Sequence, residues 1–165
     1  MGVTYDTRAL IDVLRANERV LREVDRLEGA GLVPVLSTVA VFEVLSGVEF
    51  TKSRLERTRL EALLSRFLIE PFDRESAREA AELRAELLRV GHGPGAPDIM
   101  IAGQALAGGH SLVTRDRHLG DVADAAGLKV ILYRIHPSWL RELWHSLPVD
   151  PPIQDGSSIW TYLRQ

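Results

Sequence analysis

The amino-acid sequence predicts an α/β fold in which helices cover both faces of a central parallel sheet of four to five strands. Two observations carry this expectation. Short runs rich in β-branched residues alternate along the chain with longer segments of helical period, and strands separated by helices imply right-handed βαβ crossovers. The bulk properties agree: 165 residues, 45% of them hydrophobic and 26% charged, suit one ordinary globular domain with a core of its own.

The elements follow in order. Val3, Thr4 and Tyr5 form a β-prone run that stops at Asp6. Helical segments come next near 8–16 and 18–29, the second with Val20, Leu21, Val24 and Leu27 on one face and Gly29 and Gly31 behind it. Residues 33–36 read as a second buried strand, its Pro34 near the start. Ser37 or Thr38 caps a helix to about Phe50, and a charged helix spans 51–66. After a strand at 68–72, Asp73 caps a helix whose inner face is Ala77, Ala80, Leu83, Leu87 and Val90. The stretch 91–95, Gly-His-Gly-Pro-Gly, is a loop. Pro97 at a first helical position opens another helix, which Gly108 and Gly109 end. A strand at 111–114, a short helix at 117–125 and a strand at 130–133 complete the alternation.

Several function classes drop out on composition. No apolar run approaches the roughly 18 residues that span a bilayer, and the first residues, MGVTYDTRAL, lack a basic leader with a long apolar stretch, so a cytoplasmic protein is expected. The absence of cysteine excludes disulfides, thiolate zinc sites and cysteine nucleophiles. A net charge of −3 argues against coating nucleic acid by bulk electrostatics. It leaves room for a nuclease, because clustered carboxylates can hold a cation that restores positive charge locally. The glycine-rich 91–95 follows a helix rather than a strand, unlike a phosphate loop. The histidines share no ligand spacing, and no Gly-x-Ser-x-Gly frame surrounds Ser46 or Ser111.

Four acids stand where such a topology binds ligands, beyond the carboxyl ends of the strands. Asp6 ends the first strand and Asp116 lies just past the 111–114 strand. Glu43 is on the helix entered from the second strand, and Asp98 is in the first turn of the helix before the fourth. Asp6 alone reads equally as a helix N-cap, Asp98 as a complement to the helix dipole, and Asp116 as a turn residue. Glu43 resists such a reading. Val39, Ala40, Val41 and Phe42 precede it and Val44 and Leu45 follow, so no polar face receives it. The 97–107 helix repeats the pattern, with Asp98 as its one charge. Asp12 and Asp121 read as solvated helix residues.

These motifs resemble those of the PIN-domain family, and of VapC toxins in particular. Tyr5-Asp6-Thr7 followed by Leu10-Ile11-Asp12-Val13-Leu14-Arg15 is similar to the first motif, and Ser37-Thr38-Val39 through Glu43 to Gly47 to the second. Pro97-Asp98-Ile99-Met100-Ile101-Ala102 and then Leu112-Val113-Thr114-Arg115-Asp116-Arg117-His118-Leu119 resemble the third and fourth. The likeness covers residues 3–133. It implies a PIN-like three-layer α/β/α fold and a metal-dependent endoribonuclease, the toxin of a type II pair, with a small antitoxin, a homodimer and an RNA substrate. It also implies Mg²⁺ or Mn²⁺, which oxygen-only ligands suit. Carried over by position, Asp6, Asp98 and Asp116 ligate metal, while Glu43 ligates or orients the attacking water. Thr7 and Thr114 would position ligands, and Arg8, Arg115 and Arg117 are candidates for phosphate contact.

Two departures stand out. Arg8 occupies the place where the family usually has Asn or Ser, so it either pairs with an acid or holds substrate phosphate. A stretch beyond residue 133 carries Trp139, Trp144 and Trp160, which sets a nuclease domain at 1–135 against a helical extension at 136–165, packed on the domain or at an interface. Residues 137–144 read as a capped amphipathic helix. Alternative readings are a catalytically weak PIN domain acting as an RNA- or protein-binding module, and a phosphatase with Asp6 as nucleophile. The haloacid-dehalogenase pattern for the latter wants a second acid where Arg8 stands.

Overall fold

The computed structural model describes residues 2–91, 93 and 95–133. Five strands, β1 (Gly2–Tyr5), β2 (Val33–Ser37), β3 (Leu68–Glu70), β4 (Ser111–Thr114) and β5 (Val130–Leu132), form one sheet in the order β3-β2-β1-β4-β5. Every pairing is parallel. The chain steps from β1 outward through β2 to β3, then returns to place β4 on the other side of β1. The order therefore reverses between β1 and β4, and a crevice for ligands opens beyond the carboxyl ends of those two strands.

Right-handed crossovers in the two directions put helices on opposite faces. On one face lie α1 (Thr7–Leu14), α2 (Glu18–Gly29), α3 (Thr38–Thr51) and α4 (Arg54–Leu64). Their buried Leu10, Val20, Val24, Leu27, Val44, Val48 and Leu60 pack on Val3, Tyr5 and Val113 of the sheet. On the other face α5 (Arg74–Arg89), α6 (Ala96–Ala107) and α7 (Arg117–Ala125) bring Leu83, Leu87, Ile101, Ala102, Leu119 and Ala123 onto Leu112. Val113 and Leu112 point to opposite layers, as strand alternation requires. The result is the expected three-layer arrangement, with five strands.

Local chemistry sets the element boundaries. Asn17, Ser37, Ser53 and Asp73 each cap a helix, their side chains accepting from a backbone N–H two or three residues on. Of the two candidates before α3, Ser37 is the cap. Helix α6 begins at Ala96, so Pro97 is its second residue, where the missing N–H has no helical partner to lose. Gly103 makes the α5–α6 contact possible. A Cβ there would lie 2.4 Å from the backbone N of Ala80, so any side chain would push the two helices apart.

Two side-chain expectations fail. Ala77 and Val90 do not face the core: Ala77 is exposed and Val90 is 68% exposed, while Ser76 is buried. Asp73 explains part of this, since its carboxylate accepts from both the Ser76 N–H and hydroxyl and holds that side chain inward. Helix α3 is also less enclosed than its composition suggests. Phe42 is 69% exposed, because it lies off the face that buries Ala40, Val44, Gly47 and Val48. The 137–144 helix and the 136–165 extension lie outside the described residues, as does the side chain of Asp121.

Candidate active site

The β1–β4 ladder fixes the centre of the site. It runs one step past the strand, where the Asp6 N–H donates to the Val113 carbonyl at 3.1 Å. This pins Asp6, only 1% exposed, at the switch point. Asp6 is also the N-cap of α1, so its two readings coincide: Oδ1 accepts from the Ala9 N–H at 2.6 Å. Its Oδ2 accepts from the Thr114 hydroxyl at 2.5 Å. That same hydroxyl accepts from the Asp116 N–H at 3.0 Å, so Thr114, fully buried at the end of β4, joins the two aspartates. Asp116 closes the turn into α7 by accepting from the Leu119 N–H at 3.1 Å.

The remaining acids arrive on helices. Thr7, next to Asp6, donates a short hydrogen bond to Glu43 Oε2 and so docks α3 against the start of α1. Asp98 sits in the first turn of α6, just after Gly95. Glu43, Asp98 and Asp116 are half-buried.

Electrostatics ties the four together. The Asp6 carboxyl is pushed up to about 6, mainly by burial, with the nearby Asp98 charge adding to the rise and the Thr114 and Ala9 hydrogen bonds opposing it. Glu43 is raised by burial and by Asp98, against its bond from Thr7. Burial and Asp116 raise Asp98. Arg8 lowers all three and pairs with Asp116, its Nη1 3.6 Å from Oδ2. Among the described residues, the four carboxylates therefore share Arg8 as their guanidinium.

As they stand, Asp6, Glu43 and Asp116 use oxygens on local partners. Among the described residues no three His, Cys, Asp or Glu side chains form a ready-made ligand cage. The donor set still fits a hard divalent cation: it is all carboxylate oxygen, buried enough to raise Asp6, Glu43 and Asp98, and among the described residues its counter-charge is the half-exposed Arg8. A buried excess of negative charge of this kind is stabilised by an added cation.

The other expected residues divide. Arg117 is exposed at the start of α7. Arg115 is 41% exposed and its Nη1 lies 3.5 Å from Asp12 Oδ2. Asp12 itself corrects the sequence reading. It is 4% exposed rather than solvated, and its Oδ2 also accepts from the Tyr133 hydroxyl at 2.8 Å. Burial is possible because Arg115, just past β4, and Tyr133, just past β5, reach Asp12. The signal was present: Leu10, Ile11, Val13 and Leu14 flank Asp12 just as apolar residues flank Glu43. Tyr133 gave no signal at all, since only the fold brings it to α1.

Fold and site together define an α/β protein with a carboxylate cluster at its topological switch point, and comparison with known proteins gives that class a family. The PIN-domain profile matches residues 3–125, and the chain belongs to the PIN-domain family. A VapC ribonuclease of Pyrococcus furiosus is 28% identical over 114 residues, which span 69% of this chain and 74% of that protein. DNA-bound VapBC from Salmonella typhimurium superposes with a TM-score of 0.66 at 27% identity, covering 79% of this chain and 97% of the other. FitAcB from Neisseria gonorrhoeae gives 0.61 at 27% identity over 78% and 96%. VapBC2 from Rickettsia felis, bound to a promoter DNA fragment, matches in fold with a TM-score of 0.69 at 21% identity over 81% and 100%.

Proposed function

We propose that this chain is a divalent-metal-dependent endoribonuclease, with Mg²⁺ or Mn²⁺ as the ion, and the toxin of a type II toxin–antitoxin pair. The observation that carries the chemistry is the set of carboxylates at the β1–β4 switch point in which Asp98 acts on Asp6 and Glu43, Asp116 acts on Asp98, and Arg8 opposes their charge. Membership of the PIN-domain family and likeness to a VapC ribonuclease and to VapBC assemblies support the substrate and the biology. An antitoxin protein is the expected partner and a homodimer the expected assembly. No helix among the described residues is long and apolar enough to cross a membrane.

Asp6, Asp98 and Asp116 would hold the ion, with Glu43 as a fourth ligand or as the group that orients the attacking water. When bound, such an ion polarises the phosphoryl oxygen, makes water a competent nucleophile near neutral pH and offsets charge on the leaving oxygen. The protein's own part is positioning. The Thr114 hydroxyl holds Asp6 Oδ2 and the Asp116 backbone in fixed relation, and Thr7 does the same for Glu43. Glu43, half-buried and raised by burial and by Asp98, is suited to take a proton from water as attack begins. Arg8 balances the acids before an ion arrives, and with Arg117 on the rim it is available to substrate phosphate afterwards.

The test is cleavage of single-stranded and structured RNA by the purified protein with Mg²⁺ or Mn²⁺, then with excess chelator. Activity is expected with either ion and lost with chelator. Cleavage that persists in chelator, or that Asp98→Asn leaves at the wild-type rate, overturns the reading.

A further inference from the structure

The far end of α1 carries a buried polar network that the proposed chemistry does not use. Asp12 follows Asp6 by six residues, which is about 9 Å along the helix at the usual rise. Its Oδ2 is shared between the Tyr133 hydroxyl, donating at 2.8 Å, and Arg115 Nη1 at 3.5 Å. Tyr133 is itself 7% exposed, and its N–H donates to the Thr114 carbonyl at 3.2 Å, so the network is built on the same turn that presents Asp116. We infer that Asp12 and Tyr133 are positioning residues that hold the Arg115 guanidinium beside the turn that presents Asp116, where it grips an RNA backbone phosphate adjacent to the scissile one.

The geometry separates this from an ordinary ion pair. A guanidinium offers five N–H donors in a rigid fork, and here one nitrogen makes a long contact with a carboxylate oxygen already served by a phenol. Burial fixes the carboxylate end of the pair, while Arg115 is 41% exposed and so can meet a strand in solvent. Tethering restricts the side chain beforehand, which lowers the entropy lost when it closes on phosphate. Arg15 also acts on Asp12, so guanidinium charge gathers at the end of α1 away from the acid cluster, where a strand leaving the acids can meet it. Burial, above all, raises Tyr133, and the Asp12 charge adds to it, so the phenol stays a donor. Arg8 differs: it stands among the acids and is displaced in role by any cation they bind.

This inference rests on the ribonuclease reading, and the experiment keeps the two apart. Binding of a fluorescein-labelled single-stranded RNA of mixed sequence is measured against salt in the Asp98→Asn protein, so that turnover does not intervene. Into that protein go Arg115→Gln, Tyr133→Phe and both together, with thermal melting of each to verify folding. Arg115→Gln should weaken binding about tenfold and reduce the slope of log affinity against log salt by about 0.7, the value for one phosphate contact on a single strand. Tyr133→Phe should weaken binding less, and its effect should vanish when Arg115 is already Gln. Unchanged affinity and slope in Arg115→Gln, or a Tyr133→Phe effect of equal size in both backgrounds, overturns the inference while wild-type cleavage keeps the ribonuclease reading intact. If wild type cleaves no RNA and the Asp98→Asn protein binds none, both fall.

Discussion

Asp6 and Asp12 stand near opposite ends of one helix, 1% and 4% exposed, and burial raises both carboxyls. Asp12 is answered by the protein: a phenol and a guanidinium reach it, and Arg15 adds charge of the right sign. Asp6 receives a hydroxyl and a backbone N–H, but the Asp98 charge acts against it, and among the described residues Arg8 is the guanidinium that opposes that charge. Burying a charge is tolerable when partners compensate it. The chain completes that compensation at one end of α1 and leaves it incomplete at the other, so the incomplete end is where an external cation has most to stabilise.

The sharpest way to break this contrast is to neutralise each aspartate in turn. Asp6→Asn keeps the shape, removes one charge from a repelling set, and should leave stability unchanged or slightly raised while cleavage falls on the order of 10³-fold, the loss of several kcal/mol of transition-state stabilisation. Asp12→Asn should do the reverse to stability. Its amide oxygen can still accept from Tyr133, but the charge that holds Arg115 is gone, and a loss of about 1–2 kcal/mol is expected for the weakened buried hydrogen bond, the Arg115 share being screened by solvent. Chemical denaturation of both variants beside a cleavage assay checks the pair. Equal stability losses, or an active Asp6→Asn, would erase the distinction.

Next comes Thr114→Val. The hydroxyl joins Asp6 Oδ2 to the Asp116 N–H, and losing such a positioning contact typically reduces activity 10–100-fold. Thr7→Val should reduce it less, because Glu43 is half-buried and solvent can replace the bond. A rate measurement at saturating ion tests both, and an unaffected Thr114→Val would remove the threonine from the site.

How much of this was legible in the sequence depends on whether the partner was local. The parallel sheet and the caps at Ser37 and Asp73 could be read because strand alternation and N-caps are short-range features. The four acids were legible as a set only through motif order, since Asp6 and Asp116 meet across a ladder with more than a hundred residues between them. Asp12 was misjudged for the same reason. Its partners Arg115 and Tyr133 lie far along the chain, and without them a charged residue on a helix reads as solvated. Val90 failed differently: helical period put it on the inner face, but α5 ends at Arg89 and the turn carries Val90 outward.

The pH dependence of stability sharpens the contrast further. With its folded value about 6 against an ordinary 3.8, Asp6 binds a proton in the native state that the unfolded chain has already released between those values. Stability from this group is therefore fully present below about 4 and is lost as pH rises through about 6, a change of about 3 kcal/mol for a shift of this size. Glu43 and Asp98 shift the same way. In chelator, the denaturation midpoint should thus fall across this window, and Mg²⁺ or Mn²⁺ should restore it most strongly above pH 6, where the acids are ionised. A profile that is the same with and without the ion would argue that no cation answers the cluster.

The smallest effect belongs to Arg8, and it separates two roles for one side chain. Arg8 pairs with Asp116 at 3.6 Å, is half exposed, and lowers Asp6, Glu43 and Asp98. If its work is to balance the acids, Arg8→Gln removes a competitor for the cation. Mn²⁺ should then bind more tightly, but by no more than about fivefold, since a solvent-screened pair of this kind is worth under about 1 kcal/mol. The acids should at the same time rise further, moving the pH at which stability is lost upward. If Arg8 instead grips phosphate, Mn²⁺ affinity stays at the wild-type value and KM for RNA rises, with a shallower salt dependence. Calorimetric titration with Mn²⁺ and a separate RNA titration distinguish the two. Tighter Mn²⁺ binding with unchanged KM would assign Arg8 to the acid end of α1 as its partial, replaceable counterpart to the permanent partners that Asp12 has at the other.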